Sequence, residues 1–348
     1  MAVYTTIDDP GLYFNTVLYV GNQPSSNPIT GVGFQPDFVW VKDRDASKHH
    51  VLFNSVQGLG QSLYADTTGA AVTDANGITA FGADGFTVAD WSEPNTSGDD
   101  YAAWCWKAGT TTGIDTTGST ITPSSYTFNA TSKFSIIGYA GNSTIGATLP
   151  HGLGVAPDMI SIKRLTSAGA QWACPFTAMQ ADWEYTLHWE TNAARTDSTA
   201  YWNDTPPTAV NIVLGTDSGV NTGHTYIAYC WASVKGYSKF GKYLGNGNVD
   251  GRFVYTGFRP AYVYIKAIDS TDAWILYDDK RLGYNEENDY FRFDTTDVEA
   301  SDVPLDILSN GFKIRDSGNE TNAAADYVYA AFAHSPLVNS EGVPANAR

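Results

Sequence analysis

GFQPDFVWVK, residues 33–42, decides the reading of this chain, because nearly the same phrase returns as GVAPDMISIK at 154–163 and as GFRPAYVYIK at 257–266. A second marker precedes each phrase: Tyr19 with Gly21 and Asn22, Tyr139 with Gly141 and Asn142, and Tyr243 with Gly245 and Asn246. From that tyrosine to the motif proline (Pro36, Pro157 or Pro260) the intervals are 17, 18 and 17 residues. Downstream of the prolines by 65, 69 and 67 residues stand YAAWCW, YIAYCW and YVYAAF, which begin at Tyr101, Tyr226 and Tyr327. Three markers at nearly constant spacing define three copies of one unit. Weaker echoes lie between them: Val51-Leu52-Phe53 with Ile275-Leu276-Tyr277, ADTT at 65–68 with ETN at 190–192 and FDTT at 293–296, and DGFTV at 84–88 with NGFKI at 310–314.

Within the phrase, period-two alternation puts Phe38, Trp40 and Lys42 on one side of a strand and Val39 and Val41 on the other. Val39, Ile160 and Val263 correspond, as do Val41, Ile162 and Ile265, so the branched face is the expected core. Proline at the start of the strand donates no ladder hydrogen bond and belongs there. The YxAxCW segments are apolar on both faces, as expected of central strands. Cys105 and Cys230 hold equivalent positions, with Ala331 in the third copy, so the site calls for a small buried side chain rather than a reactive thiol.

The 348 residues are 43% hydrophobic and 14% aromatic, with 33 glycines and only 3 methionines. Each copy contains seven or eight short alternating runs separated by Gly, Asn, Asp and Pro. The expected fold class is all-β, three tandem β-sandwich-like repeats of about 100 residues. The expected divisions are an N-terminal arm (1–12), repeats at 13–110, 133–236 and 237–337, a Gly- and Thr-rich linker or long loop at 111–132, and a C-terminal tail (338–348).

A net charge of −17 with 20 Lys and Arg speaks against nucleic-acid binding, which needs clustered cations on phosphates. No basic-then-apolar leader opens the chain and no run of about 18 apolar residues occurs, so neither secretion nor membrane insertion is expected. Three cysteines make no even framework and no CxxC pair. No catalytic residue, cofactor or metal is nominated. Asp37 and Asp158 follow the motif proline and have Ala261 as their third counterpart, which marks them as turn or strand-start acceptors. NGNVDG at 246–251 begins like a calcium loop but has Gly257 where a bidentate Glu belongs, and reads as a turn. His49 and His50 lie in KDRDASKHH, read as a solvated loop. Residues repeated in every copy, above all Pro36, Lys42, Pro157, Lys163, Pro260 and Lys266, are architectural. Recognition is expected where the copies differ, in loops 43–50, 89–98 and 181–206. There Trp91, Trp183 and Trp202 are the candidate surface-binding residues, since tryptophan stacks on sugars or anchors interfaces.

The opening YTTIDDPGLYFNTVLYVGN, followed by GFQPDFVWVK and closed by YAAWCWKAG, resembles a family of structural, tail- or fibre-like proteins of tailed, largely marine, bacteriophages. The resemblance is strongest over residues 1–110 and weaker to about 337. It implies a virion component, synthesised and assembled in the host cytoplasm, and no catalytic residues to carry over. The expected function is a non-enzymatic surface protein of the particle, a tail fibre or tail-tip protein contributing to attachment to host surface glycan. The alternatives are a capsid decoration or head-fibre protein and a glycan-degrading, tailspike-like enzyme. Expected partners are other virion structural proteins, which the arm would dock, and further copies of the chain, with a homotrimer as the expected assembly.

Overall fold

A computed structural model describes residues 5–281, 285 and 289–344. The fold is all-β; among the described residues the α-helices Ser92–Asn95 and Thr199–Trp202 are single turns. Each copy is built on the same three strands. The first strand (Phe14–Val20, Phe134–Ala140 or Ser238–Leu244) pairs antiparallel with the YxAxCW strand (Asp100–Trp106, Thr225–Trp231 or Asp326–Pro336). That strand pairs on its other side with the motif strand, Phe38–Asp43, Met159–Arg164 or Phe258–Ala267. The YxAxCW strand is therefore central, and register sets Val39 opposite Cys105, Ile160 opposite Cys230 and Val263 opposite Ala331. Among the described residues no sheet joins strands of two copies.

Across from this sheet lies a smaller one: Asn27–Thr30, Gly85–Val88 and Ile78–Gly82 in the first copy, Ala147–Pro150 and Asn211–Leu214 in the second, and Phe253–Tyr255, Gly311–Ile314 and Leu305–Leu308 in the third. The space between is filled as the branched alternation predicts. Val39 and Val41 pack with Ile29, Phe86 and Val88; Ile160 and Ile162 with Leu149 and Ile212; Val263 and Ile265 with Val254 and Phe312.

The opposite face of the motif strand is equally buried. Phe38, Trp40, Trp104 and Trp106 join Met159, Tyr229 and Trp231 of the second copy and Tyr262, Tyr264 and Phe332 of the third in one shared core. Ring centroids are 4.8 Å apart for Phe38 and Tyr229, 5.8 Å for Trp104 and Tyr262, and 6.4 Å for Phe176 and Tyr264, so every copy touches both others. Each sheet thus has two hydrophobic faces, one for its own sandwich and one for the centre. This explains why the phrase alternates between branched and aromatic apolar residues instead of apolar and polar ones.

The YxGN marker closes each copy at its edge. Tyr19 stacks on Tyr101, Tyr139 on Tyr226 and Tyr243 on Tyr327, with centroids 5.0, 5.2 and 5.1 Å apart. A Cβ on the marker glycine would collide with the carbonyl oxygen of Thr96, Thr222 or Ala323. The residue before each of these is a buried asparagine, Asn95, Asn221 or Asn322, whose Oδ1 accepts the backbone N–H of the marker asparagine. Asn221 also donates to Thr144 O and Gly215 O, both at 2.9 Å. Asn221→Ala leaves these buried groups unpaired, and chemical denaturation should show a loss on the order of 1–3 kcal/mol.

One division differs from expectation. The segment 111–132 is no free linker: Ser125–Asn129 pairs with Phe134–Ala140 as an added edge strand, and Thr120 and Ile121 donate to Thr148 O along the edge of the small sheet. Serine and threonine hid the alternation of Tyr126 and Phe128. The arm, of which residues 5–12 are described, packs on its own chain. Ile7 enters the shared core, Thr5 Oγ1 donates to Lys235 O at 3.0 Å, and Asp8 accepts Ser340 N at 2.7 Å. Residues 1–4 of the arm and 345–348 of the tail lie outside the described residues.

Candidate recognition surfaces

The motif lysines are buried, and two of the three join copies. Lys42 Nζ donates to Ala46 O and, in the third copy, to Thr296 O, both at 3.3 Å. Lys163 Nζ donates to Ala170 O at 2.9 Å and, in the first copy, to Thr67 O at 2.8 Å. Lys266 Nζ stays within its own copy, on Ala267 O and Ser270 O. The seam beside it is closed instead by Arg195 N on Ile268 O at 2.8 Å and by Arg195 with Asp269 at 2.9 Å. The ADTT, ETN and FDTT echoes are thus the loops through which each copy meets a neighbour. Trp172 and Trp274 reach across in the same way, donating to Tyr64 O at 3.0 Å and His188 O at 2.9 Å. The sequence signal for these contacts is position: His50, Trp172 and Trp274 follow the motif lysine by eight or nine residues.

Burial pushes all three lysines down to about 8. Unfolded lysine titrates near about 10.4. Between those values the unfolded chain holds more protons than the folded one, so the lysine contribution to stability rises with pH from about 8 toward 10; below pH 8 the full cost of burying the charge is present. The buried thiols of Cys105, Cys174 and Cys230 are pushed up by burial and oppose this rise once unfolded thiols ionise. Urea midpoints at pH 7.5 and about 9, compared between wild type and a Lys42→Met/Lys163→Met/Lys266→Met variant, isolate the lysines. The variant should lose the upward slope; equal slopes would show the ammonium groups are not carrying a burial cost.

Of the candidate tryptophans, Trp183 and Trp202 are 2% and 0% exposed and pack edge to face at 5.8 Å inside the second copy. They are core residues, not surface binders, because the polar residues around them sit on a loop that folds over the sandwich. Trp91 is half-buried, with its ring 6.2 Å from Phe53 and 6.5 Å from Tyr64.

The other expectations for these loops change too. His50 is fully buried and accepts Trp40 Nε1 at 3.0 Å, while burial drives its imidazole well below its ordinary value. KDRDASKHH is therefore not a solvated loop. Arg44 makes a two-pronged contact to Glu299 of the third copy, at 3.0 and 2.7 Å, and Lys48 pairs with Asp43 at 3.2 Å. In the 89–98 loop, Asn95 ties down the YxGN turn, and Pro94 O accepts Tyr19 OH at 2.7 Å.

Asp37 and Asp158 are acceptors as expected. Asp37 takes Ser55 Oγ at 2.7 Å and Ala108 N at 2.8 Å, and Asp158 takes Ser233 N at 2.7 Å. In the third copy the carboxylate has moved to the neighbouring strand end. Asp279 stands where Ser55 does, and it accepts His334 Nδ1 at 2.7 Å, His334 being the counterpart of Ala108. In NGNVDG, Asn246 Oδ1 accepts Asn248 N and Asn322 Nδ2, and Asp250 pairs with Lys313 at 2.7 Å, so these oxygens serve the turn. Among the described residues no group of three or more His, Cys, Asp or Glu is placed to hold a metal ion, and no helix is long and apolar enough to cross a membrane.

The seams between copies differ in openness. Between the first and second copies a cleft of about 630 Å³ is walled by Gln35, Ser55 and Lys107 on one side and by Ser125, Tyr126 and Thr127 of the added edge strand on the other. Between the third and first copies the corresponding cleft, beside Asp279 and His334, is about 220 Å³. At the second-to-third seam, Ser233 Oγ accepts Phe240 N directly at 3.2 Å.

A family model covers residues 9–336. The chain belongs to the DUF7483 family, a domain of unknown function. The DUF7483 match runs through all three copies, the extent over which they share one core. No curated protein and no solved structure matches the chain.

Proposed function

We propose that this chain is a non-enzymatic structural protein of a bacteriophage particle surface, a tail fibre or tail-tip protein that contributes to attachment to host surface glycan. The observation that supports this reading is the cleft between the first two copies. Its walls offer the Gln35 amide, the hydroxyls of Ser124 and Ser125, and the Lys107 ammonium. Donors and acceptors gathered in one cleft suit a polyhydroxylated ligand. The three copies behind it form a preorganised wall, so little ordering accompanies binding. On this reading the chain works together with other virion proteins and with further copies of itself, a trimer being the expected form.

The test has two arms. Gold-labelled antibody against the chain should decorate the tail end of purified particles in electron micrographs; label on the head lattice would replace the tail reading by capsid decoration. Fluorescently tagged protein should adsorb to host cells, and a Lys107→Ala/Tyr126→Ala variant should adsorb at least tenfold more weakly. Unchanged adsorption by that variant would remove the cleft from the proposal. Release of reducing ends from host polysaccharide would favour the tailspike-like enzyme instead.

A further inference from the structure

The third copy carries a surface that the other two lack. Its small sheet ends in the edge strand Phe253–Tyr255, where Val254 is buried while Phe253 and Tyr255 are 45% and 52% exposed. The two rings are two residues apart on one face, so their attachment points stand about 7 Å apart along the strand. A glycine leaves room for the first ring to lie on the protein: a Cβ at Gly311, which is opposite Tyr255 in the ladder, would come within 3.1 Å of Phe253 Cε2. Lys239 steadies the second ring: its Nζ donates to Tyr255 O at 2.7 Å and lies 5.4 Å from the ring centroid.

Charged side chains border the rings. Lys313 sits opposite Phe253 and pairs with Asp250, and Arg315 pairs with Asp306 at 3.1 Å. These rim ion pairs match two cations with two acids and Lys239 adds a third cation at the Tyr255 ring, unlike the strongly acidic chain as a whole. Beyond Tyr255 the surface turns into a cleft of about 410 Å³ walled by Lys235, Thr256 and Leu337.

The corresponding edges in the other copies are closed to such a use. In the first copy the ring positions are Pro28 and Thr30. In the second they are Thr148 and Pro150, and the chain's own segment at Thr120 and Ile121 is hydrogen-bonded along that edge.

We propose that Phe253 and Tyr255 form a stacking platform for two sugar units of a neutral hexose glycan, with Lys313, Asp250 and Arg315 bonding the ring hydroxyls. An apolar sugar face covers an aromatic ring while its equatorial hydroxyls reach sideways, which fits flat rings with an ionic rim. From the function proposed above this inference takes only the ligand class, a surface glycan. It assigns a site remote in sequence from the cleft at Lys107 and Tyr126.

The full-length chain would be titrated with α-1,4- and β-1,4-linked glucose hexasaccharides, using saturation-transfer NMR and calorimetry. Binding by at least one, weakened tenfold or more by Phe253→Ala/Tyr255→Ala and within twofold of wild type in Lys107→Ala/Tyr126→Ala, is the expected result. Val254 remains in place in the double variant, and circular dichroism and melting checks that it folds. Loss in the Lys107/Tyr126 variant alone overturns the platform and leaves the attachment proposal standing. No binding of either sugar by wild type overturns the platform, while host-cell adsorption separately decides attachment. Self-association of wild type abolished by Phe253→Ala/Tyr255→Ala, without sugar binding, would make this face an interface between copies of the chain and overturns it as well.

Discussion

Replacing Val41 by aspartate should cost about 4 kcal/mol or more, a large share of the 5–15 kcal/mol that holds a domain together. Val41 has no exposed surface, lies between Ala103 and Val51 in the ladder, and faces Ile29, Phe86 and Val88 across the first sandwich. A carboxylate there meets no donor. The shared core makes a second outcome expected. Phe38, Trp40, Trp104 and Trp106 cover aromatic faces of the other copies, so loss of the first sheet exposes those faces. The chain should then unfold in one transition. Thiol labelling during denaturant titration separates the possibilities, since Cys105 lies in the first copy and Cys230 in the second, both fully buried. Simultaneous labelling of the two supports a common unit. A labelled Cys105 with Cys230 still protected would show that the copies melt alone, and a wild-type midpoint would sink the assignment of Val41 to the core.

What was legible in the sequence was whatever depends on one strand at a time. Alternation in GFQPDFVWVK placed Val39 and Val41 correctly, two apolar faces marked the central strand, and the matching of Cys105, Cys230 and Ala331 survives as register. What was not legible depends on which surface meets which. The second face of the motif strand carries Phe38 and Trp40, and nothing in a period-two pattern says whether aromatic residues face solvent, a ligand or a neighbouring copy. Lys42 closes the phrase like an ordinary solvated end, yet its ammonium lies in a seam because two backbone carbonyls receive it. The same limit misplaced Trp183 and Trp202, whose polar neighbours gave no hint that the loop folds inward.

The copies differ at two scales, whole loops and single residues. Loops 43–50 and 181–206 vary because each seam is different, whereas 89–98 holds Asn95, whose counterparts Asn221 and Asn322 make the same contact. The more informative differences are single exchanges on conserved scaffolding. The acid moves from Asp37 in the first copy to Asp279 in the third. Pro28 and Thr30 give way to Phe253 and Tyr255. Both exchanges lie at positions fixed by strand register, which becomes visible only when the ladders are known.

Trp104→Ala should destabilise the chain by about 3–5 kcal/mol, the usual range for emptying a buried aromatic site. Its ring is 6.2 Å from Trp40, 5.8 Å from Tyr262 and 5.9 Å from Phe291, so truncation opens a void where the first and third copies meet. A second contribution is polar. Trp104 Nε1 donates to Asp278 Oδ2 at 3.0 Å, and the same oxygen receives Arg281 Nε at 2.7 Å. Arg281 continues to Glu299 at 3.0 Å, and Glu299 to Arg44 of the first copy, so a buried ionic chain begins and ends across this seam. Trp104→Phe retains an aromatic ring and removes the N–H, and should cost on the order of 1.5–3 kcal/mol, the worth of a hydrogen bond to a charged group. Arg281→Met leaves Asp278 buried without its cation while Glu299 keeps Arg44, and costs roughly 3–5 kcal/mol. If the chain of contacts acts as a unit, the Trp104→Phe/Arg281→Met double variant should deviate from additivity by more than about 0.5 kcal/mol in urea denaturation. Additivity within that margin would mean that the two donors act on Asp278 independently.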